Sequence, residues 1–286
     1  AHSRTDGLNV TNLWDNVTPA NNQVFGYSPA NRLTSATGPY GSAGWTYDGV
    51  GNRTGETITA GGITTTDSLT YPGTSNRVET VVRGASTIRT LGYDAAGNII
   101  TNARSGTTYG YTYNARNRLS AAGGITQATY IYDGNEQLAI RDSLVAPAGV
   151  THTIHDIFGN IIAETDGTGP AGTVREYVWL YETEIAPTMG SRTTVDRPLA
   201  VVDAVNTASP ATWWVSVDHL NRPVKMTDAA KASVWSAVWK PWGTPQSLSG
   251  SATLNARFPG QWFQIEAGLH YKWHRLYDPT LGRYTQ

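Results

Sequence analysis

"YDGVGNR", residues 47–53, places an aromatic residue before an acid, two glycines, an asparagine and an arginine. Related segments recur as "YPGTSNR" (71–77), "YDAAGNI" (93–99), "YNARNRL" (113–119), "YDGNEQL" (132–138), "HDIFGNI" (155–161) and "VDHLNRP" (217–223). The aromatic or His starts fall at Tyr27, Tyr47, Tyr71, Tyr93, Tyr113, Tyr132 and His155, in steps of 20, 24, 22, 20, 19 and 23 residues. Weaker copies begin near Trp179, Val217 and Trp239. A step of about twenty residues is the length of one β-hairpin, two short strands with two connections.

The text around each copy agrees with that length. "WTYDGVGNRTGET" (45–57), "LGYDAAGNIITNA" (91–103) and "YTYNARNRLSAA" (111–122) each alternate with period two, turn, and run on briefly. Tyr47, Tyr93 and Tyr132 enter the turns and pack on the sheet. Asp48, Asp94 and Asp133 are placed to hydrogen-bond amides just beyond, and Gly51 or Asn52 to take positive φ, with Gly97 and Asn98 their counterparts. A calcium loop would need a closing Glu twelve residues in, and Glu56 falls short of that position. No GxGxxG opens a helix after a strand, which argues against a phosphate loop. The motif reads as a structural turn, and the fold class as all-β: repetitive antiparallel hairpins winding into a shell or barrel-like sheet.

Composition points the same way. The 286 residues include 30 Gly, 15 Tyr and 10 Trp but only 2 Met, and abundant Thr favours strands and turns. Net charge is −1 and 15% of residues are charged, so nothing electrostatic favours nucleic acid or an acidic membrane as partner. The absence of Cys excludes disulfides, thiolate nucleophiles and Cys-based metal sites. No stretch is apolar for long enough to span a membrane, and no signal segment is expected at the N-terminus.

Three regions are expected. Residues 5–170 form the regular array. Residues 171–210 form an irregular insertion in which "YVWLY" and "RPLAVVD" look like short strands. Residues 211–286 are richer in large aromatics, and "DAAKASVW" (228–235) reads as a hairpin end. "KPWG" (240–243) should be a tight turn presenting Trp242.

The last region carries a resemblance. "VDHLNRPVKMTDAAKASVWSAVWKPWGTP" (217–245) and "RFPGQWFQIEAGLHYKWHRLYDPTLGRYTQ" (257–286) resemble the core segment of the bacterial RHS family, and the upstream copies resemble its tyrosine–aspartate (YD) repeats. The resemblance implies a hollow β-shell enclosing a variable C-terminal toxin, secreted or delivered from the bacterial cell in competition or virulence, type VI secretion included. Implied partners are the rest of the shell, the toxin passenger and secretion-machine components, with no cofactor. The core segment would close or plug the shell through Trp242, Trp262, His270, Trp273, Arg275, Tyr277, Asp278, Gly282 and Arg283. The family's proteolytic aspartates are expected beyond Gln286, and Asp278 maps onto a non-catalytic part of the core, so no enzyme is expected here.

Catalytic and metal readings find little support in the residues. His270 and His274 in "HYKWH" lack the Glu of HExxH, and on one strand would stand about 13 Å apart. His152 and His155 would face opposite ways on a strand. Glu266 and Asp278 sit beside turn signals, which turns and salt links explain. No GxSxG is present. Inward aromatics would cover the sheet and pack on the plug, with Trp239, Trp242, Trp262, Trp273 and Tyr277 expected among them. The rival reading is a carbohydrate- or protein-binding module using exposed Tyr and Trp.

Overall fold

The computed structural model describes residues 2–5, 9–104, 106–124, 127–145, 148–167, 172–185, 192–264 and 266–285, with side chains of 181–185 and 192–196 left aside. The described residues are all-β, with a single short 3-10 turn at Pro19–Asn21 and no α-helix. Among the described residues no helix is long and apolar enough to cross a membrane. The chain divides into two compact units, residues 1–108 and 109–286.

In the first unit the strands are β1 (His2–Arg4), β2 (Val10–Leu13), β3 (Gln23–Tyr27), β4 (Leu33–Gly38), β5 (Gly41–Tyr47), β6 (Arg53–Ala60), β7 (Ile63–Thr70), β8 (Thr80–Arg83), β9 (Ser86–Tyr93) and β10 (Ile99–Arg104). Each pairs antiparallel with the next in sequence, an open meander. Period-two alternation sorts the two faces. Ala43 and Trp45 of β5 are buried, as are Leu69 and Val81 of β7 and β8. The opposite face of β5–β7 is uncharged: register aligns Ser42, Thr59 and Thr64, then Gly44, Thr57 and Thr66, then Thr46, Gly55 and Ser68. Its hydroxyls bond across strands, as in Thr59–Thr64 at 2.8 Å.

In the second unit the meander runs through β11 (Thr107–Tyr113), β12 (Leu119–Gly123), β13 (Ala128–Tyr132), β14 (Leu138–Ser143), β15 (Gly149–His155), β16 (Ile161–Thr165), β17 (Val174–Ile185), β18 (Arg192–Asp203), β19 (Ala211–Val217), β20 (Pro223–Thr227), β21 (Ser233–Trp239) and β22 (Pro245–Gly250). Again each strand pairs antiparallel with the next. The segment read as an irregular insertion carries the two longest strands, β17 and β18, of 12 residues each. Part of the loop expected between them, residues 186–191, lies outside the described residues. "DAAKASVW" is a hairpin end, closed where Asp228 N–H donates to Ala232 O. A separate sheet follows, β23 (Trp262–Gln264), β24 (Leu269–Lys272), β25 (Arg275–Asp278) and β26 (Arg283–Tyr284).

The turn chemistry repeats almost atom for atom. In 48–52, Asp48 N–H donates to Asn52 O, Asp48 Oδ1 accepts from the amides of Gly51 and Asn52 at 2.8 Å each, and Asn52 Nδ2 returns to Asp48 Oδ2. Asp94 with Asn98 and Asp156 with Asn160 repeat the pair. Asp133 accepts from Gln137 N–H in the same way. The fourth residue takes the left-handed conformation, at Gly51, Gly97 and Gly159, and also at Asn31, Asn117, Asn221, Glu136 and Lys231. Gly51, not Asn52, therefore supplies the positive φ.

The entering aromatic does more than pack. Tyr47 OH donates to Leu33 O at 2.6 Å, the first residue of the strand leaving the preceding turn. Tyr71 does the same to Arg53 O and Tyr132 to Leu119 O, while Tyr93 donates to Val78 O, two residues before β8. Trp179 and Trp239 substitute an indole N–H, donating to Ile161 O and Pro223 O. In each of these copies the turn thus clasps the exit of the one before it. A register shift accompanies most of these aromatics, as at Thr46/Tyr47, Ile131/Tyr132 and Val238/Trp239, and such bulges increase local twist.

Arginine finishes the lattice. Where the fifth turn position is Arg, the side chain reaches forward: Arg32 lies over Tyr47 and Arg222 over Trp239. Arg32 Nη1 also donates to Asp48 O. Arg77 lies over Tyr93 in the same manner. Arg53, one residue later in its repeat, is buried and lies 3.5 Å from Glu56 of its own strand.

Candidate functional site

The C-terminal sheet is the place where the second unit concentrates buried polar chemistry. The segment from Leu254 to Thr285 is dense in buried groups, among them Glu266 and Asp278 at 0% exposure and His270 at 1%. The four strands of this sheet are only two to four residues long, so it needs a surface to lie on. Side chains of the meander supply it. Tyr111 OH donates to Ala267 O at 2.9 Å, and Leu138 N–H donates to Tyr271 OH at 2.8 Å. Trp262 Nε1 donates to Glu164, which also accepts from Tyr177 OH, and the Tyr177 and Trp262 rings meet edge-on at 4.9 Å. Arg118 Nη1 donates to His274 O.

An ion pair lies under this sheet. Arg141 Nη1 is 3.0 Å from Glu266 Oε1, and Arg141 Nη2 donates to Thr151 Oγ1. With the carboxylate fully buried, the guanidinium and its hydrogen bonds are what keep Glu266 tolerable inside. Burial raises the pKa of nearby Tyr130 and Tyr132, and of Tyr271, so these phenols stay protonated donors or acceptors at neutral pH. Burial also holds His270 down at about 3, with the Arg257 cation adding to the effect. His270 is therefore neutral, and its Nδ1 lies 2.9 Å from Gln261 Oε1.

The predicted plug residues take distinct positions. Trp262 and Tyr277 are buried; Tyr277 OH donates to Trp242 O at 2.9 Å. Trp242 itself is only half-buried, in a tight turn closed by Gly243 N–H to Lys240 O. Asp278 closes the last turn by accepting from Thr280 and from Leu281 N–H, and Gly282 N–H donates to Asp278 O. Gly282 has positive φ, and Arg283 stands opposite Asp278 in the pairing of β25 with β26. Arg275 is exposed and lies 3.9 Å over Tyr284. His270 is buried in β24, while His274 lies in the β24–β25 turn, so the two do not share a strand.

Trp273 corrects the expectation of an inward aromatic. It is 42% exposed with φ +52°, at the corner of the β24–β25 hairpin. Its Nε1 donates to Gly159 O at 3.2 Å, and a Cβ on Gly159 would stand 2.5 Å from the indole. The bare glycine of "HDIFGNI" is thus the seat for Trp273.

Several site residues carry no signal that sequence reading could use. Arg141, Glu164 and Tyr111 sit at ordinary alternating strand positions, and only the fold places the C-terminal sheet over them. His155, the copy with His in place of Tyr, has an Nε2 with no partner among the described residues, and Leu138 at the start of β14 is met instead by Tyr271.

No protein-family model matches the chain. Among curated proteins it is similar to Double-stranded DNA deaminase toxin A of Burkholderia cenocepacia (strain H111), 27% identical over 216 residues, covering 67% of this chain and 14% of that protein. It is 34% identical over 93 residues to the putative uncharacterized protein YibJ of Escherichia coli (strain K12), covering 32% of this chain and 40% of that one. It is 35% identical over 69 residues to toxin protein Tse5 of Pseudomonas aeruginosa, covering 23% of this chain and 5% of that protein. The chain spans less than half the length of each of these relatives. A crystal structure of TcdB2-TccC3 aligns over 99% of this chain and 22% of its own, at 11% identity and a TM-score of 0.31. Two of the relatives are toxins by name, at low identity.

Proposed function

We propose that this chain is a non-catalytic segment of an RHS-type β-shell, which encloses a toxin passenger and helps deliver it from a bacterial cell. The observation that carries the reading is the seat of the C-terminal sheet. A short sheet with buried Glu266, His270 and Asp278 is locked onto a hairpin array by Arg141, Tyr111, Tyr271 and Trp262. Such a lock is what a wall needs where its chain turns away from the regular array. Similarity to two named toxins, each much longer than this chain, supports a toxin-related role. The buried carboxylates are read as structural: Glu266 is ion-paired and Asp278 is committed to a turn.

The test is made in the complete protein that carries this segment. Protease protection of the passenger is compared between wild type and R141M. Opening the seat is expected to expose the passenger while the hairpin array keeps its β-sheet circular dichroism. Equal protection in both proteins would remove the enclosing role from this segment.

A further inference from the structure

Arg257, in "RFPGQ", differs from its neighbour Arg222 in one respect. Arg222 lies over Trp239 and Phe258 and has Asp218 at 2.9 Å. Arg257 lies over Trp239 at 5.3 Å and Phe263 at 4.8 Å, with no carboxylate beside it among the described residues. Its Nη1 donates to the neutral carbonyls of Leu254 and Ala256. Its Nε has no acceptor among the described residues, although the side chain is only 4% exposed. A buried guanidinium stays charged at neutral pH, and a buried charge without a counter-charge is strongly unfavourable.

Arg257 also lines a cavity of about 20 Å³, room for one water-sized group. Asn160, Asn221, Gln261, Trp262 and Tyr271 share the wall, and no carboxylate of the described residues does. We propose that this cavity is a monoanion site, in which Arg257 binds one halide-sized ion or one carboxylate oxygen. The rings of Trp239 and Phe263 lie against the guanidinium, and its Nε–H is left without an acceptor among the described residues. This site is independent of the shell reading, because it rests on Arg257 and its cavity alone.

The test uses the full chain. Crystals grown in sodium bromide are expected to show a bromine anomalous peak beside Arg257, missing in R257M. In solution, bromide and acetate are expected to raise the melting temperature saturably over sodium gluconate at equal ionic strength, because a ligand of the folded state stabilises it. R257K, which keeps charge but lacks Nε, should bind at least tenfold more weakly. A rise with bromide alone assigns a free halide; a rise with acetate and a short acetylated aspartyl peptide assigns a carboxylate. A water in place of the bromine peak, a melting temperature indifferent to the anion, or equal binding by R257K would each overturn the proposal. Should R257M fail to fold, the wild-type and R257K measurements still decide.

Discussion

Tyr93 illustrates how one atom joins two repeats. Its OH donates to Val78 O at 2.7 Å, across the exit of the previous turn. Tyr93→Phe removes the donor and keeps the ring, so urea unfolding should show a loss of about 1 kcal/mol. The turn acids set an acid limit. Asp48 and Asp94 are held below the usual 3.8, chiefly by the side-chain amides of Asn52 and Asn98. A carboxylate held low in the fold stabilises it above 3.8, and that contribution is lost as pH falls through the lower folded value. N98A should therefore flatten the pH dependence of stability below 3.8. His270 works in a different window. Its folded value of about 3 lies below the ordinary 6.5, so the unfolded chain takes up a proton first as pH falls. Stability should drop by about 1.4 kcal/mol per pH unit between those values, and H270Q should remove that slope.

At the scale of elements, the seat of β23–β26 decides how firmly the C-terminal segment is held. R141M leaves Glu266 buried without its cation and should cost about 3–5 kcal/mol, measured by chemical unfolding. Adding E266Q should recover much of that loss, because the buried charge is then gone. Gly159→Ala tests the other end of the sheet. The new methyl would meet Trp273 at 2.5 Å on a backbone with φ +84°, so the indole must leave its place. Hydrogen exchange at residues 269–285 should accelerate in G159A, with β5–β7 unchanged. Unchanged exchange at 269–285 would show that Trp273 is not a hold on the hairpin.

For the molecule as a whole, every named anchor of the C-terminal sheet lies within residues 109–286. A chain of residues 107–286, which keeps β11 whole, should therefore retain the near-ultraviolet dichroism of its tryptophans and the protection of 269–285. Loss of both would mean that the seat depends on residues 1–106. The uncharged Ser/Thr/Gly face of β5–β7 belongs to the other unit and sets its surface chemistry apart from the ion-paired seat.

The sequence by itself determined the hairpin array and its turns. Turn geometry is local: an Asp, a residue able to take positive φ and an Asn within five positions close the loop by bonds among themselves, and the repeat spacing counts the hairpins. The same locality made "KPWG" and "DAAKASVW" legible as turns. The tertiary structure alone decided what the side chains at the sheet end do. That Tyr47 clasps Leu33, that Arg32 reaches Tyr47, that Arg141 meets Glu266 across 125 positions and that Trp273 stays at the surface on Gly159 depend on which strands become neighbours. Alternation along a strand tells which face a residue takes. It carries no record of what is later laid upon that face, because that depends on contacts between residues far apart in the chain.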